Sequence, residues 1–345
     1  MKAVKTVNTA QAGKTSDAAG NLQKPGNLQK MAEAMKGLRS AVIFTHTRPD
    51  GDTLGGGVAL FLALSRLGVH CEICNDSVIP DKFSFLHGIE NVKKCPAAAD
   101  AQAYIAVDSS DEARLGELGE LFSRAKGKKL TFNIDHHISN TSYAQFNYVR
   151  PCAANCQNMT DLIRLLGVEI DKTIADALML GLMTDSGNFS HSDVDGEVFR
   201  TAGILADAGA DVDTIGYNVF RRQSAARALL YGRTMSAIRY LLDGKLAVIS
   251  ITRAMLSECG ADQSATEGFV DFPLSVDGVE VAVAILEVNF RRFKISLRSK
   301  GKANVNAIAG VFGGGGHILA SGCMMFGELE EVIDKLRYTV SQYLD

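Results

Sequence analysis

Apolar residues recur along this chain in two rhythms, and the way these alternate predicts the fold. The short apolar runs Ala41–Thr45, Val69–Cys74, Tyr104–Val107 and Leu130–Ile134 have the length and composition of buried strands, and Gln145–Val149 can add an edge strand. Elsewhere apolar side chains fall three and four residues apart, which predicts helices over about Thr53–Leu67, Ala154–Leu166 and Thr173–Met183. Strands alternating with helices imply right-handed crossovers and a doubly wound parallel sheet covered on both faces. From about Val212 to Leu242 the pattern is helical and carries Arg221, Arg222, Arg227, Arg233 and Arg239, as a connector would. Strands resume at Lys245–Thr252, Glu280–Val288 and Phe293–Arg298, followed by helices at about Asn304–Val311 and Glu328–Tyr343. Successive strands without helical crossovers predict a smaller second α/β domain with a mixed or antiparallel sheet.

The expected fold class is thus α/β throughout. A tail over 1–27 precedes a first domain over 28–212, a helical connector over 213–243 and a second domain over 244–345. The tail has few large apolar side chains and repeats Asn21-Leu22-Gln23-Lys24 as Asn27-Leu28-Gln29-Lys30. It cannot bury enough surface to offset its chain entropy, so disorder is expected there.

Composition narrows the classes. With 46% apolar and 22% charged residues and a formal charge of −3, the 345-residue chain reads as an ordinary soluble protein, neither a nucleic-acid coat nor a membrane-surface protein. No apolar run approaches the length of a membrane span or a signal-peptide core. Seven cysteines, an odd and scattered set, fit reduced thiols in a cytoplasm better than a disulfide framework. Cys71 and Cys74 have zinc-ligand spacing, but they lie in a strand, where residues three apart face opposite ways, so they read as packing residues.

The chemistry gathers where strands end. The first run stops at His46-Thr-Arg-Pro-Asp50-Gly-Asp52, the third at Asp108-Ser-Ser-Asp111 and the fourth at Asp135-His136-His137. Open α/β sheets bind ligands at the carboxyl ends of their strands, so these groups are expected to share one site. Asp185, at the end of the apolar helix near Met183, is a further candidate. Carboxylates mixed with imidazoles suit Mn²⁺, Mg²⁺ or Co²⁺ more than a structural zinc, and the set is large enough for two ions bridged by one carboxylate. Two ions about 3.5–4 Å apart form the clamp used for in-line attack on phosphorus. A glycine fingerprint for dinucleotides is missing, because Gly55-Gly56-Gly57 lacks the required spacing, and Gly13-Lys14-Thr15 lacks the earlier glycine of a P-loop.

These motifs, in this order, resemble the DHH phosphoesterase superfamily. His46-x-x-x-Asp50-x-Asp52, Val107-Asp108-x-x-Asp111, Asp135-His136-His137 and Thr184-Asp185-Ser-Gly187-Asn-Phe189 match its four motifs. Ser296-Leu-Arg298-Ser299 and Gly313-Gly314-Gly315-Gly316-His317 resemble the DHH-associated C-terminal domain. The resemblance implies that His46, Asp50 and Asp108 hold one metal. It assigns the other to Asp52, Asp108, His136 and Asp185, with Asp108 bridging and catalytic. It implies that His137 is catalytic and faces the substrate phosphate. Arg298, Ser299, the glycine run Gly313–Gly316 and His317 would bind the nucleotide end. The length resembles the branch that hydrolyses short RNA and 3′-phosphoadenosine 5′-phosphate (pAp). The alternatives are a cyclic or linear dinucleotide phosphodiesterase (c-di-AMP or pApA) and a non-catalytic nucleotide-binding regulator. The branch often carries an arginine just after the aromatic of the fourth motif, where this chain has Ser190-His191, so that phosphate contact is expected to be lost or moved to His191.

Without the resemblance, residues 291–302 still hold six basic and no acidic side chains before the four glycines, which suggests a phosphate cradle. The expected partner is a short RNA or nucleotide held between the domains, not a membrane or a long duplex; a homodimer stays open.

Overall fold

The computed structural model describes residues 25–96 and 100–344. Of the tail expected over 1–27, residues 1–24 lie outside them, whereas residues 25–27 already belong to a helix that Pro25 opens, as proline favours a first helical position. The chain divides between Arg222 and Gln223 into two compact units.

The first unit is a six-stranded, wholly parallel sheet. Its strands are β1 (Ser40–Thr45), β2 (His70–Cys74), β3 (Val92–Lys93), β4 (Ala103–Val107), β5 (Leu130–Asp135) and β6 (Phe146–Val149), in the order β3-β2-β1-β4-β5-β6. The chain runs outward from β1 to β3 and then returns to place β4 on the other side of β1. The switch of direction therefore lies between β1 and β4, which creates a crevice at their carboxyl ends.

Alternation sends side chains to both faces. Ala41 and Ile43 of β1 pack with helices α1 (Pro25–Lys36), α2 (Gly51–Arg66), α4 (Asn155–Leu166) and α5 (Lys172–Asp185). Val42 and Phe44 pack on the other face with Tyr104 and with Phe122 of α3 (Leu118–Ala125), their rings edge to face. The helix α6 (Gly196–Asp207) and the short α7 (Val212–Gly216) complete this unit.

The second unit is a mixed six-stranded sheet, as the pattern predicts. Its strands β7 (Arg239–Leu241), β8 (Leu246–Ile251), β9 (Val281–Asn289), β10 (Arg292–Ser299), β11 (Gly315–Gly316) and β12 (Ala320–Phe326) run in the order β11-β12-β10-β9-β8-β7. Only β8 and β9 pair in parallel, through a crossover containing α9 (Arg253–Cys259) and α10 (Asp271–Ser275) that the strand-rich pattern does not reveal. Helices α11 (Val305–Val311) and α12 (Leu329–Ser341) cover one face and α8 (Ala225–Met235) packs on the other.

The uniform helical connector is not seen. After α7 and a π turn at Tyr217–Arg221, Arg222 takes an extended backbone and Ser224 restarts the helix by accepting from the Arg227 amide at 3.1 Å. Residues Arg239–Leu241 then form β7. The arginines of this stretch pair within their own units, Arg221 with Asp213 and Arg239 with Glu330. No helix among the described residues is long and apolar enough to cross a membrane.

Candidate metal centre

The crevice between β1 and β4 collects the residues singled out at the strand ends. Thr53 ties the two strands together there: its hydroxyl accepts from the His46 amide and donates to the Val107 carbonyl, both at 3.2 Å. Asp50 caps α2. One of its oxygens accepts from the amides of Asp52 and Thr53 at 3.1 Å, and the other faces His46 Nε2 at 3.4 Å. Asp52, in the first turn of α2, is fully buried and aimed at the start of α4. Its carboxylate accepts from the Asn155 amide at 2.5 Å and the Cys156 amide at 2.9 Å, where the helix end favours negative charge.

Asp108 follows β4 with φ +57°, a left-handed conformation that is strained for a residue with a side chain. Its amide still continues the ladder to Ile134 at 2.9 Å, so the sheet holds it there. The result is that Oδ2 lies 3.4 Å from His46 Nε2 and Oδ1 lies 3.4 Å from His136 Nε2. Asp185 ends α5, with an oxygen 3.6 Å from His136 Nε2. One atom each from His46, Asp50 and Asp108 falls within 4.8 Å of the others, and the same holds for Asp52, His136 and Asp185.

The histidine tautomers follow from their partners. His46 Nδ1 lies 2.9 Å from the Thr47 carbonyl and His136 Nδ1 lies 2.8 Å from that of Cys152. A carbonyl can only accept, so each Nδ1 carries a hydrogen, and once the ring is neutral, as a metal requires, Nε2 offers its lone pair to the crevice. His46 Nε2, His136 Nε2 and Asp108 Oδ1 are buried without a hydrogen-bond partner. Buried ring nitrogens and a carboxylate oxygen left unpaired on either side of Asp108 are what divalent cations would satisfy.

The charges point the same way. Burial works against a charged His46, but the facing carboxylates of Asp108 and Asp50, each 3.4 Å away, outweigh it and lift its pKa to about 10. Burial likewise opposes a charge on His136, yet its bond to Cys152 and the charges of Asp52 and Asp108 raise it to about 11. Burial and then the neighbouring Asp108 push Asp52 to about 7, and burial with Asp52 and Asp108 pushes Asp185 to about 10. A metal-free cluster of this kind holds protons in place of the positive charge it lacks, and a bound cation would displace them.

Glycines set how closely the helices carrying Asp52 and Asp185 approach. A Cβ on Gly55 would stand 2.2 Å from the Ala177 carbonyl oxygen. One on Gly181 would stand 2.3 Å from Cys156 Sγ and 2.6 Å from Asp52 Oδ1. Gly181→Ala should therefore cost about 1–3 kcal/mol of stability, as overpacked cores do, and weaken any divalent-metal binding by shifting Asp52. Thermal unfolding and a metal titration check this. A variant unchanged in both would mean that α2 and α5 separate freely.

His137 is placed differently from His136. Its Nδ1 lies 2.7 Å from Asp135 Oδ1, and the other oxygen of Asp135 accepts from Asn140 at 2.6 Å. Its Nε2 faces Arg114 Nη1 at 3.4 Å. Asn140 and Arg114 are not among the residues picked out from the sequence, and Asp135 is given no role there. Asp135 is visible there as the first letter of the motif, but Arg114 carries no local signal. His191, the expected substitute for a fourth-motif arginine, has its Nδ1 bonded to the Asp185 carbonyl at 2.8 Å.

In the second unit, Arg298 lines a cleft of about 370 Å³ with Lys294, Ser296, Ser264 and Thr266. The structure separates Ser299 from this group: as the next residue along β10 it faces the opposite side, buried, with its hydroxyl accepting from the Gly301 amide at 3.0 Å. The glycine run has a structural reason of its own. Gly313 and Gly316 have φ of +72° and +147°, and a Cβ on Gly314 would stand 2.2 Å from the Gly322 carbonyl oxygen. His317 is exposed on the tight turn that its amide closes with Ala320 at 2.8 Å.

Fold and site together define an α/β protein that gathers carboxylates and histidines able to hold metal at the switch point of a parallel sheet. Residues 40–182 match the DHH family N-terminal domain and residues 243–345 the DHHA1 domain. The chain belongs to the DHH phosphoesterase family, whose members hydrolyse phosphate esters. It is 32% identical over 338 residues to the bifunctional oligoribonuclease and PAP phosphatase NrnA of Thermus thermophilus, covering 94% of this chain and 98% of that one. The corresponding protein of Mycoplasma genitalium is 27% identical, over 88% of this chain and 93% of its own length. The crystal structure of an exopolyphosphatase-related protein from Bacteroides fragilis superposes with a TM-score of 0.83 at 25% identity, covering 93% of this chain and 97% of that chain.

Proposed function

We propose that this chain is a two-metal phosphoesterase that hydrolyses short oligoribonucleotides and pAp to mononucleotides, with Mn²⁺ as the preferred ion. The observation that carries the reading is a pair of ligand triads, His46/Asp50/Asp108 and Asp52/His136/Asp185, with Asp108 turning one oxygen toward the histidine of each and three buried polar atoms left unpaired. His46, Asp50 and Asp108 would hold one ion, and Asp52, Asp108, His136 and Asp185 the other. Oxygen-rich sets with imidazole suit Mn²⁺. Ions held there would supply a Lewis acid at the phosphoryl oxygen and generate a nucleophile from water at neutral pH. His137, oriented by Asp135, faces the phosphate and delivers a proton to the leaving oxygen. The substrate classes come from the two NrnA relatives, which match nearly the whole chain.

The test is a substrate panel with purified protein and Mn²⁺: pAp, RNA of two to five nucleotides, a longer RNA and c-di-AMP. Chelator should abolish activity and Mn²⁺ restore it. A chain inactive on pAp and short RNA but active on c-di-AMP would replace this reading.

In this reading Arg298, His317 and the Gly313–Gly316 run capture the nucleotide end, remote from the reacting bond. Arg298→Ala should leave bis-p-nitrophenyl phosphate hydrolysis nearly unchanged. On pAp or short RNA it should lower kcat/KM roughly 10- to 100-fold, the scale of one charged hydrogen bond. Equal losses on both would assign Arg298 to the fold, where it already approaches Asp271 Oδ1 at 3.5 Å.

A further inference from the structure

Arg114 springs from a rigid base beside the metal centre. It lies in the turn Glu112–Leu115, six residues beyond Asp108. Its amide donates to Asp111 Oδ1 at 3.0 Å, and its carbonyl accepts from the Thr47 amide at 2.8 Å, directly after His46. The turn closes at Gly116, with φ +64°, where a Cβ would stand 2.1 Å from Asp76 Oδ2. The residue is thus clamped between the loops that follow β1 and β4.

Its guanidinium is half-buried in a carboxylate-rich site and yet has no carboxylate partner among the described residues; Nη1 approaches only His137 Nε2, at 3.4 Å. His137 Nδ1–H is committed to Asp135, so Nε2 is the acceptor in this contact. An anionic oxygen is a stronger acceptor than a neutral imidazole, and a guanidinium fork matches phosphate geometry. A phosphate placed before His137 therefore meets Arg114 as well.

We propose that Arg114 binds the non-bridging oxygens of the scissile phosphate and sets the balance between phosphomonoester and phosphodiester hydrolysis at this one centre. The inference rests on the reading of the chain as an enzyme of both ester types. In both reactions water adds to phosphorus, the ester P–O bond breaks and the departing oxygen takes a proton. The two substrates differ in charge: a terminal phosphate carries about −1.5 to −2 near neutrality, whereas an internucleotide linkage carries a single negative charge. One fixed cation against those oxygens favours the monoester.

The experiment uses the Mn²⁺-loaded protein with two substrates that share a leaving group, p-nitrophenyl phosphate and bis-p-nitrophenyl phosphate, and then pAp against a dinucleotide RNA. Arg114→Gln should lower kcat/KM about 100-fold on the monoesters and about 10-fold on the diesters, spanning the range for a charged hydrogen bond. Mn²⁺ stoichiometry and circular dichroism should not change. Arg114→Lys keeps the charge without the fork and should fall between, and it carries the same test if the glutamine variant does not fold. In a His137→Ala background Arg114→Gln should still shift the selectivity. Equal losses on both ester types, or no further shift in that background, would reduce Arg114 to a residue that orients His137 and overturn the proposal. A wild-type protein inactive on both ester types would instead defeat the functional reading.

Discussion

Asp108→Asn should abolish turnover while leaving the fold intact. Asparagine is nearly isosteric with aspartate and tolerates the left-handed backbone at φ +57°, so the substitution removes charge without adding strain. What it removes is the one carboxylate whose two oxygens face His46 and His136 from 3.4 Å each. In the proposed centre both ions lose a ligand together. The fall in kcat/KM should exceed about 10³-fold, beyond the usual loss for a single electrostatic stabiliser, and bound Mn²⁺ should drop below two per chain. Asp108→Ala should abolish turnover equally. Near-normal activity with two bound Mn²⁺ in either variant would sink the bridging role.

Much of this centre was legible in the sequence because strand ends are where apolar runs stop. His46, Asp108 and His136 each follow such a run by one or two residues, and β1, β4 and β5 are neighbours in the sheet. The order β3-β2-β1-β4 was not legible, since five-residue strands carry no information on their partners beyond hydrophobicity. Nor was the α9–α10 crossover, whose short helices lie in a stretch that includes Gly260, Gly268 and Gly278. Gly55-Gly56-Gly57 looked like a failed phosphate loop. Its reason is steric: Gly55 lets α2 lie against the Ala177 carbonyl of α5, a contact between residues more than a hundred positions apart. The resemblance names Ser299 together with Arg298, and the two-residue period of a strand sends these neighbours to opposite faces. Arg114 was hidden for a different reason, because its closeness to His137 depends on how the turn at Gly116 folds against Asp76.

His137→Ala should keep both metals and lose most of kcat. His136 and His137 are adjacent, and their rings meet edge to face with centroids 4.5 Å apart, yet their nitrogens serve different partners. His136 fixes its tautomer on a backbone carbonyl, which leaves a buried and unpaired Nε2 beside Asp108 and Asp185. His137 fixes its tautomer on Asp135, itself held by Asn140; its Nδ1 also lies 3.7 Å from Asp108 Oδ1, and its Nε2 approaches Arg114. A group supported in this way suits orienting the phosphate and transferring a proton, so its removal should lower kcat by about 10²–10⁴-fold. Mn²⁺ stoichiometry should stay unchanged. The loss should shrink on a substrate with an acidic leaving group such as p-nitrophenol, which departs without needing the proton. His136→Ala should instead lose metal. If changing His137 releases metal and changing His136 does not, the two roles are reversed, and Asp135 would then be serving a ligand and not a proton donor.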